Sequence, residues 1–345
     1  MCPSIEQTKP TGAENGAKKP ESKLASIPDW KTIELPPNEV LKHHYDAVPL
    51  GRLAAMSTYI DQDSVKAVAD RKDIQPCFGY HPWFVHRYYL GEQPSKRDHY
   101  LAVFAPKKAK QVAELEALLP QLPDPESFEP LLAQMRENIK ECGGMVGEIG
   151  LDATARARIW PPRGSDEPAQ MTPFKTAMTH QTAICKLQLE LAEELGVPAS
   201  LHCVNASGAT MDLLKGHRGN ACIHSCGGMS PDFITQLART MPNVYFSPSV
   251  LITARLGDDV VRAVPRDRML VESDTSSIGD ITRLIWAATV WISTCKGWKL
   301  ETENVGGDDD DGEVFDEKGH VRELRDDETW TVQTLERNWN RFIGR

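Results

Sequence analysis

The sequence predicts an α/β protein built as a (β/α)8 TIM-type barrel whose first strand is uncertain or absent. Seven short apolar segments alternate with helical segments, which implies parallel strands joined by helical crossovers. No glycine-rich nucleotide-binding fingerprint follows any strand, which argues against an open, doubly wound sheet. The predicted strands lie near residues 53–58, 74–80, 145–150, 199–204, 221–226, 244–249 and 269–273.

Spacing and punctuation residues predict the helices between these strands. A segment with apolar residues three or four apart runs from Leu131 to Ile139, and Gly143 suits its end. After Asp152 we expect a proline-rich loop, followed by a long helix near residues 173–195. Ser230-Pro231 supplies an N-cap followed by a proline at the first helical position, which predicts the start of another helix.

The chain of 345 residues is 40% hydrophobic and 26% charged, as in soluble globular proteins. No apolar run is long enough for a transmembrane helix, and the N-terminus lacks the pattern of a signal peptide. The 8 cysteines are scattered singly, as in proteins that keep reduced thiols. These features predict a protein of the cytoplasm, the nucleus or both.

Charge and composition divide the chain into a tail, one domain and an insertion. Residues 1–22 are polar and rich in Lys, Pro and Gly, which predicts a disordered tail. Residues 23–345 are expected to form a single barrel with an acidic insertion at about 301–328. That insertion holds 13 acidic and 3 basic residues and so carries the whole net charge of −10. The acidity therefore does not exclude a locally basic cleft elsewhere.

Five of the predicted strands have an imidazole or a carboxylate near the carboxyl end. Catalytic side chains of barrels lie at this end. Imidazole nitrogens and carboxylate oxygens ligate Zn²⁺, and Mg²⁺ or Mn²⁺ become suitable as oxygen ligands increase. The pattern predicts a centre for one or two divalent ions that activates water. The five residues are His81, Glu148, His202, His224 and Asp274.

Six short motifs follow one another along the chain. They are Thr58…Asp61-Gln62, Cys77-Phe78-Gly79-Tyr80-His81-Pro82-Trp83, Gly147-Glu148-Ile149-Gly150-Leu151-Asp152, Leu201-His202, His224-Ser225-Cys226-Gly227-Gly228 and Glu272-Ser273-Asp274. As a set they resemble the TatD family of metal-dependent deoxyribonucleases, within the amidohydrolase-like metal barrels. A weaker similarity continues at Asn338…Arg341-Phe342.

The resemblance implies roles for individual residues. Glu148 would bridge two metal ions, and His202 and His224 would complete one of the two sites. Asp274 would serve the other site and orient the nucleophilic water, so that Asp274 and Glu148 are the implied catalytic residues. His81 would contact the scissile phosphate. The implied reaction is hydrolysis of DNA phosphodiester bonds by metal-activated water.

One motif of the family is missing. Its members begin with a His-x-His on the first strand, and no His-x-His occurs before Arg52. His43 and His44 are adjacent, so on a strand they would face opposite sides. The missing ligands coincide with the missing first strand. A truncated gene model and a natural loss of catalysis would each produce this pattern.

Two alternative functions follow from the same residues. A related enzyme of the superfamily would hydrolyse C–N bonds, although such enzymes often carry a metal-bridging lysine where this chain has Glu148. A catalytically weakened barrel would instead serve as a protein-interaction module. Some fungal relatives of the family are described as partners of an anaphase-promoting-complex subunit, and the chain is similar to that branch.

Overall fold

A parallel sheet with helical crossovers is the main feature of the computed structural model. The structure describes residues 26–35, 53–59, 61–161, 168–276, 279–301, 314–315, 321–322 and 324–345. Among these residues, the strands are β1 (Leu53–Met56), β2 (Ile74–Phe78), β3 (Tyr88–Tyr89), β4 (Glu126–Ser127), β5 (Met145–Asp152), β6 (Arg156–Ile159), β7 (Gln170–Lys175), β8 (Ala199–Val204), β9 (Ala221–His224), β10 (Val244–Ser247), β11 (Val314–Phe315) and β12 (Val321–Arg322).

The helices of the described residues precede or follow these strands in alternation. They are α1 (Gln62–Lys66), α2 (Lys96–Phe104), α3 (Ala109–Leu118), α4 (Phe128–Cys142), α5 (Met178–Leu195), α6 (Ser207–Leu214), α7 (Pro231–Thr240), α8 (Asp258–Ala263), α9 (Ile281–Lys296) and α10 (Thr331–Phe342). None of them is both long enough and apolar enough to span a bilayer.

The order of the strands identifies the architecture. The sheet runs β1-β2-β5-β8-β9-β10, entirely in chain order, and all its pairs are parallel. A doubly wound sheet reverses its order at a switch point, whereas right-handed crossovers without reversal place every helix on one face. Phe246 also forms a parallel bridge with Met269, where a seventh strand is expected. The predicted α/β barrel is confirmed. Its first strand was predicted before Arg52; residues 26–35 contain no strand, and residues 36–52 lie outside the described residues.

The expected loop after Asp152 is wrong. Strands β6 and β7 pair antiparallel there, and α5 begins at Met178 rather than near residue 173. Ala157, Thr172 and Phe174 are buried and alternate with exposed neighbours, as the strand period requires. Prolines concealed this alternation in the sequence. Pro173 is tolerated because β7 pairs with β6 alone and needs no N–H for a second neighbour.

Helices begin and end at the capping residues that the sequence predicts. The Ser230 side chain accepts a hydrogen bond from the Phe233 N–H at the start of α7. Gly143 and Gly196 end α4 and α5 in the left-handed conformation. The expected tail at residues 1–22 and most of the acidic insertion lie outside the described residues. Within the insertion, β11 and β12 pair antiparallel, as a hairpin requires.

Helix α10 closes the amino-terminal end of the barrel. Phe342 packs with Cys77, Met145 and other buried side chains beneath the sheet. The Asn338 side chain donates hydrogen bonds to the Arg266 carbonyl (2.7 Å) and the Met269 carbonyl (2.8 Å). The Asn338 amide therefore links the last helix to the segment around Met269, where the seventh strand is expected.

A substitution at Gly150 tests the close contact between β5 and β8. The φ of Gly150 is +139°, and a Cβ there would collide with the His202 backbone, at 2.7 Å from the nitrogen. We expect Gly150→Ala to lower the free energy of unfolding by about 3 kcal/mol. Gly143→Ala, at φ +61° with open space around it, should cost about 1–2 kcal/mol. Chemical denaturation followed by circular dichroism measures both; equal losses would contradict the close contact.

The raised pKa of the buried Glu336 side chain leads us to expect that the stability of the protein depends on pH. Burial and the charge of Glu301 raise the pKa of Glu336 to about 8 from its ordinary value of 4.5. Its Oε1 has no hydrogen-bond partner among the described residues. The folded state therefore keeps a proton that the unfolded chain loses, so stability falls as the pH rises from about 4.5 to 8.

We expect Glu336→Gln to remove this loss, because the amide does not ionise. Relative to the parent protein, the variant should gain about 2–4 kcal/mol between pH 5 and pH 8. Denaturation curves at the two pH values measure the gain, with the exposed Glu137→Gln as the matched control. An unchanged pH dependence would show that Glu336 ionises normally.

Candidate metal centre

Backbone hydrogen bonds align the carboxyl ends of the first three described sheet strands. The Glu148 N–H donates to the Ser57 carbonyl (3.0 Å), and the His81 N–H donates to the Thr58 carbonyl (2.9 Å). The Ser57 hydroxyl accepts the Gly79 N–H at 3.0 Å. The residues just beyond β1 thus fix the positions of both His81 and Glu148.

Two buried glutamines of α5 form hydrogen bonds with the backbone at the carboxyl ends of the strands. The Gln188 side chain accepts the Tyr80 N–H (2.8 Å) and donates to the Tyr80 carbonyl (3.2 Å). Gln181 makes the equivalent pair of bonds with the backbone of Asp152, at 2.8 and 2.9 Å. Buried backbone groups at strand ends need partners, and these amides supply them beside the functional side chains.

Three imidazoles surround one oxygen of Glu148. The distances to Glu148 Oε1 are 3.3 Å from His81 Nε2, 3.1 Å from His202 Nδ1 and 3.6 Å from His224 Nε2. The rings of His81 and His202 lie 4.3 Å apart, edge to face. All four side chains are at most 15% exposed. The acid that the sequence placed on β5 therefore has three nitrogen partners.

Carboxylates hold the far sides of two of these histidines. Asp152 Oδ2 lies 3.5 Å from His202 Nε2, and Glu272 Oε1 lies 2.8 Å from His224 Nδ1. Asp274 Oδ1 lies 3.3 Å from His224 Nε2, on the side that faces Glu148. A carboxylate behind a histidine fixes its tautomer and orientation at metal sites. Asp152 and Glu272 occupy that position.

Glu272 is itself immobilised. Its Oε1 accepts hydrogen bonds from the N–H and the hydroxyl of Ser225, at 2.7 and 2.6 Å. Its Oε2 accepts the Ser247 hydroxyl at 2.5 Å. With these bonds and the His224 contact, little lone-pair capacity remains for an ion. We therefore interpret Glu272 as a positioning residue. Asp274 accepts one hydrogen bond, from the Ser225 hydroxyl to its Oδ2 (3.1 Å), and is the carboxylate with more capacity to ligate.

The close pairing shifts the pKa values of the central groups. Burial alone would raise the pKa of Glu148, but the charges of His81 and His224 and a hydrogen bond from His202 hold it well below its usual range. Burial opposes the charge on His202, but Asp152 and Glu148 raise its pKa to about 9. Burial lowers the pKa of His81 from its ordinary value, although the charge of Glu148 opposes this shift.

The donor set fits a divalent cation. His81, Glu148 and His202 offer ligand atoms that all lie within 4.8 Å of one another, and so do His224, Glu272 and Asp274. Nitrogen and oxygen donors in this mixture suit Zn²⁺, or Mn²⁺ and Mg²⁺ where oxygen dominates. His202 can ligate through one nitrogen; its Nε2 has no hydrogen-bond partner among the described residues and lies 3.5 Å from Asp152 Oδ2.

The structure brings together all five residues that the sequence proposed: His81, Glu148, His202, His224 and Asp274. His81 lies as deep as the other histidines, in one group with Glu148 and His202. His43 and His44 lie outside the described residues.

Asp152 and Glu272 were not predicted as site residues from the sequence. For Asp152 the strand period carried a signal, because Glu148 and Asp152 are four apart on β5 and residues at that spacing lie on the same face of a strand. For Glu272 the period gives no such signal, because the backbone of Asp274, two residues later, is left-handed (φ +51°).

Comparisons with known proteins show a family and several relatives. The sequence model of the family described as "TatD related DNase" matches residues 37–278. A Saccharomyces cerevisiae protein described as an uncharacterized deoxyribonuclease is 30% identical over 240 residues, which cover 65% of this chain and 74% of the relative. The Cut9-interacting protein scn1 of Schizosaccharomyces pombe is 26% identical over 301 residues, or 73% of this chain and 88% of that protein.

A crystal structure of a TatD homologue from Escherichia coli superposes with a TM-score of 0.49 at 18% sequence identity. The superposition covers 90% of this chain and 95% of the homologue.

Asp152 provides a test of the metal centre that does not depend on turnover. Replacing its carboxylate with an amide should loosen His202, so we expect Asp152→Asn to weaken Zn²⁺ binding by about 10- to 100-fold. Competition with a chromogenic chelator measures the affinity, and the exposed Asp212→Asn serves as the control. Unchanged affinity in Asp152→Asn would remove Asp152 from the centre.

Proposed function

The chain belongs to the family of TatD-related DNases, and from that premise we propose that it is a metal-dependent phosphodiesterase that cleaves DNA. It is a hydrolase of that family by its sequence match. The observation that supports the finer proposal is the convergence of three imidazoles on Glu148 Oε1, with Asp274 beside them. A divalent ion bound there would supply Lewis-acid activation of water and neutralise charge on a phosphoryl oxygen.

We assign a role to each residue of the centre. Glu148, His202 and His224 would hold one cation, and Glu148 together with Asp274 would hold a second. Asp274 Oδ1 lies 3.3 Å from His224 Nε2, on the side that faces Glu148, where its carboxylate would ligate that second ion and accept a proton from the attacking water. Ligands that the first strand could supply fall outside the described residues, so the assignment includes one or two ions of Mg²⁺, Mn²⁺ or Zn²⁺.

His81 lies in the same centre and is only 4% exposed. Its Nδ1 accepts the Trp83 N–H at 3.2 Å, so its Nε2 carries the proton and faces Glu148. An N–H directed to the centre can donate to an anionic phosphoryl oxygen. We therefore propose His81 as the contact to the scissile phosphate.

A protein partner is the second candidate function. The observation that favours it is the similarity to the Cut9-interacting protein scn1. The five proposed site residues of the described chain nevertheless lie together at the centre, which favours catalysis. Such a partner could bind the outer surface of the barrel while the centre remains active. We place both activities in the cytoplasm or nucleus, because the described cysteines are all free thiols.

Hydrolysis assays test the proposal. We expect purified protein to cleave DNA and bis(p-nitrophenyl) phosphate only with added Mg²⁺, Mn²⁺ or Zn²⁺. Glu148→Gln, which removes the central charge, should lower the rate by roughly a hundredfold or more. The exposed Glu190→Gln is the matched control.

Two results would contradict the proposal. Activity that persists in Glu148→Gln would exclude this centre as the site of hydrolysis. No hydrolysis with any of the three metals, together with one bound equivalent of metal, would favour the interaction module.

A further inference from the structure

A pair of strands leaves the barrel directly after the strand of Glu148. We call β6 and β7 the basic hairpin. Its first strand begins at Arg156, four residues beyond Asp152, and its second ends at Lys175. One face is packed, since Ala157 and Phe174 are buried in a small core with Phe104. The hairpin is therefore an ordered part of the rim and not a loose loop.

The other face of the hairpin concentrates positive charge. Arg156 and Lys175 are exposed and lie directly opposite each other in the register, and Arg158 follows on the same face. Like charges in a direct cross-strand pair destabilise a hairpin. None of the three side chains forms an ion pair with a carboxylate of the described residues. Positive charge that has no carboxylate partner among the described residues, on a packed hairpin, points to an anionic ligand.

A chain of contacts joins this face to the metal centre. The Arg158 guanidinium lies 4.7 Å from the centroid of the Trp83 ring. The Trp83 indole N–H donates to Asp152 Oδ2 at 2.7 Å, and Asp152 lies behind His202. An open cleft of about 340 Å³ lies between the hairpin and the metal centre. Its lining includes Trp83, Asp152, Arg156, Arg158 and Lys175. Its volume lies within the usual range for small-ligand sites, about 300–1,000 Å³.

Aromatic rings extend from the centre to the same rim. Tyr59 and Phe84 stack with centroids 5.0 Å apart, and Phe84 stacks on Trp160 at 6.4 Å. Trp160, directly after β6, is 40% exposed. A large ring that ends a stack and faces solvent can accept one more flat group, such as a nucleobase.

We propose that the basic hairpin holds a single-stranded end of the DNA substrate and directs it into the metal centre. Phosphates bind Arg156, Arg158 and Lys175, and an unpaired base stacks on Trp160. The combination of cationic side chains with an exposed aromatic ring is that of single-strand binding sites. Stacking requires a base face that a duplex does not offer. The inference rests on the proposed function, because it assigns the substrate of that centre.

Binding measurements without turnover test this inference. A fluorescein-labelled single-stranded oligonucleotide is titrated with metal-free protein at several KCl concentrations, and anisotropy gives the affinity. Arg156→Ala/Lys175→Ala should reduce the slope of log affinity against log salt by about 1.4, or 0.7 for each phosphate that the protein no longer neutralises. Trp160→Ala should weaken binding about tenfold and leave that slope unchanged.

Matched variants control for general charge and for folding. Lys186→Ala/Arg239→Ala removes two positive charges from exposed positions on helices α5 and α7 and should leave the slope unchanged. Lys175→Glu gives Arg156 a cross-strand partner, so it should keep or raise the thermal midpoint while weakening DNA binding. A blunt duplex should bind more weakly than the single strand, and an RNA oligonucleotide of the same sequence tests the preference for DNA.

The outcomes separate this inference from the proposed hydrolysis. If the hairpin variants bind like the control variant while the parent protein hydrolyses bis(p-nitrophenyl) phosphate, only the role of the hairpin is overturned. If the hairpin variants lose binding as expected but the parent protein hydrolyses no phosphodiester, the hairpin binds nucleic acid and the catalytic proposal fails. If the duplex binds as tightly as the single strand or more tightly, the proposal that the hairpin holds a single-stranded end is wrong.

Discussion

The buried charge of Glu148 is the constraint on which the rest of this structure depends. A carboxylate inside an apolar strand is costly unless hydrogen bonds and opposite charges compensate it. Here three imidazoles reach one of its oxygens, from positions after β2, within β8 and at the end of β9. Only a parallel sheet in chain order brings those three carboxyl ends to one place. The order of the strands in the barrel therefore determines which side chains meet at the centre.

Rigid support surrounds this arrangement. The carboxylates of Asp152 and Glu272 hold two of the imidazoles from behind. Gln181 and Gln188 hold the strand backbone from α5. Such support matters because a metal or catalytic site requires its side chains to be fixed to within about 0.5 Å. The outer groups are charged or fully bonded, so they stabilise positions and need not take part in the reaction themselves.

The centre and the basic hairpin offer complementary chemistry. The centre presents carboxylates that attract cations, whereas the hairpin presents Arg156 and Lys175 with no described carboxylate paired to them. A polyanion such as a DNA strand requires both, because its backbone needs positive charge along the path and its scissile group needs metal ligands at the end. Trp83 belongs to both regions, since it contacts Arg158 and Asp152. The net charge of −10 is compatible with this surface because most of the acidity lies in one segment.

The sequence by itself determined the class of fold and the chemical types at the centre. Apolar strands in regular alternation with helices require parallel pairing, and polar residues at strand ends mark the functional edge. Local chemistry also fixed helix ends such as Ser230 and Gly196. Tertiary structure alone decided which residues meet. Packing placed Asp152 behind His202, and Glu272 became visible only as a partner of His224. The basic hairpin became visible only through the register that sets Arg156 opposite Lys175. Sequence patterns report which face of an element a side chain occupies, whereas distances between elements depend on packing across the whole sheet.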